Sequence, residues 1–324
     1  MTLAGWRYAL SALLCISSCF VADRATASPR GALGVSATEP LLFASSADGV
    51  YAFPLKGDAQ QPLWYLSGSP LTGPTGISVD GQRNLYVSDG SGYVYEYDRP
   101  RADAPPGAPS FAYYDPEGPP QSVTACEGGG KHYVYAANDA YMSSSFYTSF
   151  TVWVKGKTNP VLVVSNPNYY ESEPIDVDCD PQGNFYFGYQ SPSNFVAAID
   201  EYVPGGSGSP TTIAVSFGYF AEAFGIGAHD VMAAIAAGYY SDPIEIWREE
   251  KGTWVYRYSV GIALGSTGCQ GPVAFERENT AFWIVDYCSS EVLRMELHGR
   301  VVDSVAFPQN SYLESLATSP SNRP

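Results

Sequence analysis

The chain has 324 residues and a formal net charge of −16, with 32 glycines, 25 prolines, 25 tyrosines and only 15% charged residues. Such an acidic chain lacks the basic patches that nucleic acids and anionic membrane surfaces require, so neither is an expected partner. Many glycines, prolines and tyrosines with few charges favour short strands joined by tight turns. The first prediction is therefore a β-rich fold.

Residues 1–27 are predicted to be an export signal. Arg7 precedes the apolar run YALSALLCISSCFVA, and ATA at 25–27 is a small-residue cleavage site before Ser28. A lipoprotein signal and an uncleaved anchor are the alternatives, because ISSC at 16–19 resembles a bacterial lipobox in which Cys19 would carry the lipid. Cleavage after Ala27 removes two arginines and one aspartate, which takes the formal charge from −16 to −17.

No later stretch reaches the roughly 18 apolar residues that a membrane-spanning helix needs. The body of the protein is therefore predicted to be extracytoplasmic: secreted, periplasmic or lipid-anchored at the cell envelope. Contact with a membrane is expected only through an N-terminal lipid. Residues 28–40 are predicted to be a flexible spacer and 319–324 a disordered tail, which leaves 41–318 as a single domain.

One short strand pattern recurs six times in that domain. Its copies are LLFASS from 41, NLYVSD from 84, HYVYAAND from 132, NFYFGY from 184, MAAIAA from 232 and AFWIVD from 281. Successive copies start 43 to 52 residues apart, which is the length of a four-stranded propeller blade. Most copies have one strand before them and two after, as in GISVD, YVYEYD and SFAYYD around the second copy.

The two ends of the domain complement each other. The first copy lacks a preceding strand, whereas LESLATSP at 313–320 is a surplus first strand with nothing after it. Pairing this C-terminal strand with the N-terminal three strands would complete one blade and leave no open sheet edge. The predicted fold is all-β: a six-bladed β-propeller of four-stranded antiparallel blades. A β-sandwich or a solenoid is the alternative.

The pattern P-x-GISVD-x-x-x-NLYVSD with VYEYD after it, at 74–98, resembles the NHL repeat, and so does DPQGNFYFGY at 180–189. The resemblance covers nearly all of 41–318, most clearly at 74–98 and 174–203, and it is degenerate around Met232. It implies a six-bladed propeller of a kind used mostly to bind proteins, nucleic acids or small ligands, with some catalytic relatives. A fold of such varied use implies little about function.

One face of the ring is predicted to bind a ligand. In this strand order, the loops from second to third strands and from fourth to next first strands emerge on the same face. These loops contain Tyr141, Tyr147, Tyr169, Tyr170, Tyr189, Tyr219, Tyr239, Tyr240, Tyr287 and Tyr312. Tyrosines on loops suit a sugar ring or a protein partner. The alternative is that many of them pack between blades. A monomeric, non-catalytic binding protein is the leading hypothesis.

A metal-dependent hydrolase is the second hypothesis. Asp89, Asp139, Glu171 and Asp286 are predicted on the same face, and carboxylates converging on the ring axis would suit Ca²⁺ or acid–base catalysis. Six-bladed lactonases of the gluconolactonase and paraoxonase type hold an axial metal in this way, and Asn138 and Asn166 lie in suitable loops. Their flanking motifs are not found, so this resemblance is architectural only.

Four cysteines remain outside the signal, an even number that favours disulfides in an exported chain. Cys269 and Cys288 flank one predicted hairpin and are expected to pair. Cys126 and Cys179 occupy nearly equivalent positions in first strands of adjacent blades, where either a bridge or two buried thiols would fit.

Overall fold

A computed structural model describes residues 38–55, 61–142, 145–170, 172–190, 197–213, 220–228, 231–237, 244–260, 270–276, 280–307 and 312–319. Over these ranges the chain forms strands and turns, and it contains no helix that is long and apolar enough to cross a membrane. The predicted signal segment 1–27, including Cys19, and most of the spacer lie outside the described residues. Those predictions therefore stay predictions.

The described strands follow the order predicted from the repeats. In chain order they are β1 (Leu41–Ser46), β2 (Gly49–Pro54), β3 (Trp64–Leu66), β4 (Pro74–Val79), β5 (Leu85–Asp89), β6 (Tyr93–Tyr97), β7 (Phe111–Tyr114), β8 (Pro120–Gly128), β9 (Lys131–Met142), β10 (Ser145–Val154), β11 (Leu162–Tyr170), β12 (Glu173–Cys179), β13 (Phe185–Gln190), β14 (Ala197–Tyr202), β15 (Thr211–Ile213), β16 (Phe220–Gly227), β17 (Val231–Ala237), β18 (Ile244–Glu249), β19 (Trp254–Val260), β20 (Gln270–Phe275), β21 (Ala281–Asp286), β22 (Glu291–Glu296), β23 (Val301–Ala306) and β24 (Leu313–Ser319).

These strands form six four-stranded antiparallel sheets, which are the blades of a propeller. Blade 1 has the order β24-β1-β2-β3, and blades 2 to 6 are β4–β7, β8–β11, β12–β15, β16–β19 and β20–β23. The first strands contact one another in a closed cycle, β24 with β4, then β8, β12, β16, β20 and β24 again. The all-β, six-bladed prediction is confirmed.

The ring is closed by the C-terminal strand, as predicted. β24 pairs antiparallel with β1 from Leu41 opposite Ser319 to Ser46 opposite Leu313, with one bulge near Ser46. The last strand thereby becomes the innermost strand of blade 1. Closure leaves no unpaired sheet edge at the join between the two ends of the chain.

The hydrophobic core is divided into six layers, one between each pair of adjacent blades. Strand alternation produces this arrangement, because successive side chains point to opposite faces of a blade. On β6, Val94 packs toward blade 3 while Tyr95 and Tyr97 pack toward blade 1. Each blade is therefore apolar on both faces.

Polar side chains also join the first strands around the ring. Ser78 Oγ accepts a hydrogen bond from the Ala125 amide at 3.3 Å, and the Thr318 hydroxyl donates to the Phe275 carbonyl at 2.7 Å. A disulfide connects Cys126 of β8 with Cys179 of β12, with their Cα atoms 6.4 Å apart. Of the two arrangements that the sequence left open for this pair, the structure has the bridge.

The turn between first and second strands takes its positive φ at different residue types in two blades. In blade 4 this residue is Gly183, with φ +83°. In the corresponding turn of blade 2, Arg83 takes that conformation with φ +72°. The glycine of DGQRN is Gly81, two residues before the position that takes the positive φ, so an arginine adopts this less favourable conformation.

Candidate functional site

The loop face is defined here as the side that bears the connections from second to third strands and from fourth to next first strands. Alternation of strand direction places all these connections on one side, and the opposite side is the turn face. Both faces carry polar residues that are candidates for function.

Four of the predicted loop tyrosines lie on strands, which corrects the sequence interpretation. Tyr141 is on β9, Tyr147 on β10, and Tyr169 and Tyr170 on β11. The backbone of Tyr147 is paired with that of Tyr170. β9 and β10 extend through the segment predicted to be a loop, because FYTSFTVWV is rich in aromatic and β-branched residues, which favour strand over loop. The side chains of these four tyrosines lie outside the described residues.

Tyr189 also lies on a strand, β13, rather than in a loop. Its half-buried ring packs against the core layer between blades 3 and 4, with its centroid 6.0 Å from that of Phe187. Burial, together with nearby Asp200 and Tyr202, raises the pKa of Tyr189 to about 12. The alternative of packing between blades is the better description of this tyrosine.

Tyr287 and Tyr312 form a stacked pair on the loop face beside the ring closure. Their ring centroids are 4.6 Å apart and their planes differ by 7°. The Tyr287 hydroxyl donates to the Leu313 carbonyl at 2.5 Å, and its ring lies so close to Gly271 that a Cβ there would approach within 2.6 Å. Tyr312 nevertheless remains 62% exposed. Tyr219, Tyr239 and Tyr240 lie outside the described residues.

The two described carboxylates of the predicted metal site bind their own loops. Asp89 is fully buried and accepts from the Thr72 and Gly73 amides at 2.8 and 2.9 Å, and from the Thr72 hydroxyl at 2.7 Å. Burial alone would raise the pKa of Asp89, but its hydrogen bonds outweigh burial and leave that pKa below its usual value. Asp286 accepts from the Cys288 amide at 3.0 Å and the Ser289 hydroxyl at 2.6 Å.

The remaining metal candidates are not among the side chains that the structure describes. Glu171 lies outside the described residues, and of Asp139 only the backbone is described. Within the described ranges, no three His, Cys, Asp or Glu side chains are grouped so that they could hold a metal ion. The calcium hypothesis therefore stays a prediction.

Cys288 is disulfide-bonded. Its predicted partner, Cys269, lies outside the described residues, so the pairing of Cys269 with Cys288 also stays a prediction.

A buried carboxylate on the loop face escaped the sequence interpretation. Asp115 follows β7 and is 1% exposed. The Asn138 amide, turned so that both of its ends are satisfied, donates to it at 2.8 Å and accepts from the Thr151 hydroxyl at 2.9 Å. Burial raises the pKa of Asp115 to about 7. Nothing in the local sequence links three residues so far apart, although Asp115-Pro marks a turn.

The turn face carries a polar cluster where blade 2 meets blade 3, called here the blade 2–3 junction: Asp80, Tyr86, Glu96 and Lys155. The Lys155 ammonium lies 3.2 Å from Asp80 and 3.1 Å from Glu96. The Tyr86 hydroxyl donates to Asp80 at 3.0 Å. Both carboxylates are at most 5% exposed, so an ammonium between them offsets their charge where water cannot.

The same frame recurs where blade 4 meets blade 5, called here the blade 4–5 junction: Asp180, Tyr186, Glu201 and Glu249. Asp180 accepts from the Tyr186 hydroxyl at 3.2 Å, as Asp80 does from Tyr86. Glu201 is paired with Tyr186 across two strands, as Glu96 is with Tyr86.

Glu249 occupies the position of Lys155. Lys155 directly follows Val154, which pairs with Tyr133, which in turn pairs with Cys126. In blade 5, Glu249 directly follows Arg248, which pairs with Val231, which in turn pairs with Gly227. Cys126 and Gly227 are equivalent positions. The amide of the residue before Cys126 donates to Ser78, and the amide of the residue before Gly227 donates to Asp178. Ser78 and Asp178 each lie two residues before the aspartate of their junction.

The blade 4–5 junction thus has three carboxylates and no ammonium among its described side chains. Burial raises the pKa of Asp180, and its hydrogen bonds, which favour the charged form, only partly offset this increase. Burial and the nearby charges of Asp180 and Glu249 raise the pKa of Glu201. Blade 6 shows a third version, in which Glu276 accepts two hydrogen bonds from Arg294 at 2.6 and 2.7 Å.

Comparison with known proteins establishes the fold alone. No family model matches the chain, and no curated protein matches it. Similar solved structures include a chain of a nidogen/laminin complex (TM-score 0.60, 12% identity, covering 88% of this chain and 100% of that one). A Bacteroides caccae protein of unknown function has a TM-score of 0.58 and 10% identity, covering 86% of this chain and 98% of that one.

A proposed 6-phosphogluconolactonase of Bacteroides fragilis is also similar, with a TM-score of 0.54 and 10% identity, covering 84% of each chain. Identities this low support a shared propeller architecture and carry no function with them.

Proposed function

We propose that this chain is an exported, NHL-like propeller that binds a partner protein or a carbohydrate through its loop face. The observation that carries the proposal is the Tyr287–Tyr312 pair, an exposed aromatic surface held in a fixed position by a hydrogen bond and by ring stacking. A tyrosine that is already ordered loses little conformational entropy on binding, so its contact area contributes more fully to affinity.

Export is supported by two observations. The N-terminal 27 residues have the composition of a signal, and the Cys126–Cys179 bridge is of a kind that persists in oxidising compartments. Intact-mass measurement of the protein recovered from outside the cytoplasm distinguishes a chain beginning at Ser28 from one carrying lipid on Cys19. A chain that retains residue 1 and stays in the cytoplasm contradicts export.

Crosslinking from position 312 tests the binding face. A photoreactive amino acid replaces Tyr312 in one variant and Tyr258, an exposed tyrosine on the outer strand β19, in the control. Illumination in the cells that make the protein should give an adduct from position 312 that is absent from position 258. Equal labelling from both positions, or none, contradicts a binding role for this face.

The hydrolase alternative has one observation in its favour, the architectural likeness to the proposed 6-phosphogluconolactonase. It predicts that Ca²⁺ raises the melting temperature, since a ligand that binds only the folded state stabilises it. It also predicts hydrolysis of a simple lactone such as gluconolactone that stops when the ion is chelated. Neither effect is expected of a binding module.

A further inference from the structure

We propose that Tyr312 is a stacking platform for one sugar ring of a neutral glycan, a deepening that rests on the binding role proposed above. The ligand class follows from three features of the site: the geometry of the rings, the size of the exposed surface, and its charge.

The geometry presents one face of a fixed ring to solvent. Tyr287 is held on two sides, by its hydrogen bond to the Leu313 carbonyl and by contact with the backbone of Gly271. Tyr312 lies parallel to it at 4.6 Å, so Tyr287 supports one side of the Tyr312 ring. With 62% of Tyr312 exposed, a flat apolar surface the size of a single six-membered ring is accessible to a ligand.

The size of this surface favours a sugar over a protein. A stable protein interface buries at least about 1,000 Å² and has an apolar core made of several side chains. In the described part of blade 6 and of the connection that follows it, the other strongly exposed apolar side chains are Val301 and Val302, which begin β23 at the opposite, turn face. A pyranose needs only one aromatic ring, against which its C–H face packs.

The polarity of the surroundings favours a neutral ligand. The formal charge of the whole chain is −16, and the nearest described ionisable side chain in sequence to Tyr287 is Asp286. A phosphorylated or acidic sugar would be repelled here.

Saturation-transfer NMR with three neutral hexasaccharides, cellohexaose, laminarihexaose and N-acetylchitohexaose, tests the inference on the whole protein. Transfer to the ring protons of at least one of them is expected. Tyr312→Phe, which keeps the ring, should retain binding. Tyr312→Leu, which keeps the bulk but not the flat surface, should weaken it by about two- to tenfold, since stacking on an aromatic ring contributes beyond buried area.

Tyr258→Ala is the matched control and should bind as the wild type does. Melting temperatures of all variants establish that each is folded, which is expected because Tyr312 is mostly exposed. No transfer to any of the three hexasaccharides, or equal binding by Tyr312→Leu, overturns the inference. If position 312 still crosslinks specifically to a protein, the binding face stands and only the sugar is wrong; if both experiments fail, both proposals fall.

Discussion

The blade 2–3 and blade 4–5 junctions share one frame but differ in one charge. In each, an aspartate at the end of a first strand accepts two hydrogen bonds from an asparagine four residues on, at 2.7–2.8 Å, and one from a tyrosine hydroxyl. Lys155 completes the first junction, whereas Glu249 stands at its position in the second.

The difference shows how a repeat fold tolerates divergence. The apolar layers between blades are formed at every interface, so the fold does not depend on any one polar junction. At a junction without a cation, burial disfavours the charged form of the carboxylates, and the pKa values of Asp180 and Glu201 are raised. The blade 4–5 junction is therefore expected to be less stable at neutral pH than the blade 2–3 junction.

The largest change in stability is expected from removing the disulfide that links the two blades carrying the junctions. The Cys126–Cys179 bridge joins blade 3, which carries Lys155, to blade 4, which carries Asp180. Replacing both cysteines by alanine should lower the free energy of unfolding by about 4 kcal/mol, because a bridge across 53 residues constrains the unfolded chain. Urea unfolding, read by tyrosine fluorescence, measures it. A loss below about 1 kcal/mol contradicts this stabilising role.

The next largest loss of stability is expected from removing the ammonium of the blade 2–3 junction. Lys155→Met leaves Asp80 and Glu96 buried without their ammonium, and the loss should be about 2–3 kcal/mol, at the low end for a buried pair because Lys155 is 23% exposed. Lys157→Met, on the exposed turn just beyond, is the control and should change stability by less than about 0.5 kcal/mol. The loss should be the same with and without the disulfide, since the junction is local.

Adding Glu96→Gln to Lys155→Met should recover part of the loss, because one fewer charge is left unpaired. A double variant as unstable as the sum of its parts would mean that Lys155 acts through packing alone.

How far the sequence predicts these features depends on how local they are. The second strands recur as continuous patterns, so β5 and β13 and the ring of blades could be found directly. The aspartate–asparagine frame is visible too, in DGQRN and DPQGN. Tyr141 and Tyr147 are predicted in loops but lie on β9 and β10, because the aromatic and β-branched residues of FYTSFTVWV, which favour strand, extend past the usual length of a blade strand.

The junction charges could not be predicted in the same way. Lys155 meets Asp80 across 75 residues, and only the strand register shows that Glu249 is its counterpart. The Asp115 cluster and the Tyr287–Tyr312 stack likewise join separate connections. Contacts of this kind depend on how adjacent blades are placed, which no local pattern specifies.

A gain of stability should follow from giving the blade 4–5 junction its missing ammonium. Glu249→Lys removes one carboxylate and places a cation near Asp180 and Glu201, and should raise the free energy of unfolding by about 1–2 kcal/mol at pH 7.5. The gain is partly offset because Glu249 accepts a hydrogen bond from the Gly252 amide at 3.0 Å. Asp48→Lys, the same change of charge in an exposed turn, controls for net charge.

If Asp48→Lys stabilises as much as Glu249→Lys, the effect comes from reducing the overall negative charge and the comparison of junctions is not supported.

The smallest effect is the pH dependence of that gain, and its sign is fixed by the direction of the pKa shifts. The pKa values of Asp180 and Glu201 are raised by folding, so their contribution to stability is fully present below about pH 4 and is lost as pH rises through the raised values. Asp180 and Glu201 thus make the wild-type junction weaker near neutral pH than in acid.

The ammonium introduced by Glu249→Lys favours the ionised forms of Asp180 and Glu201, so the advantage of this variant should shrink by at least half between pH 7.5 and pH 5. Asp115, whose pKa is raised to about 7, titrates in both proteins and cancels from the difference. Melting temperatures of wild type, Glu249→Lys and Asp48→Lys at the two pH values measure it. An advantage that stays constant or grows on acidification would show that the three carboxylates do not repel one another.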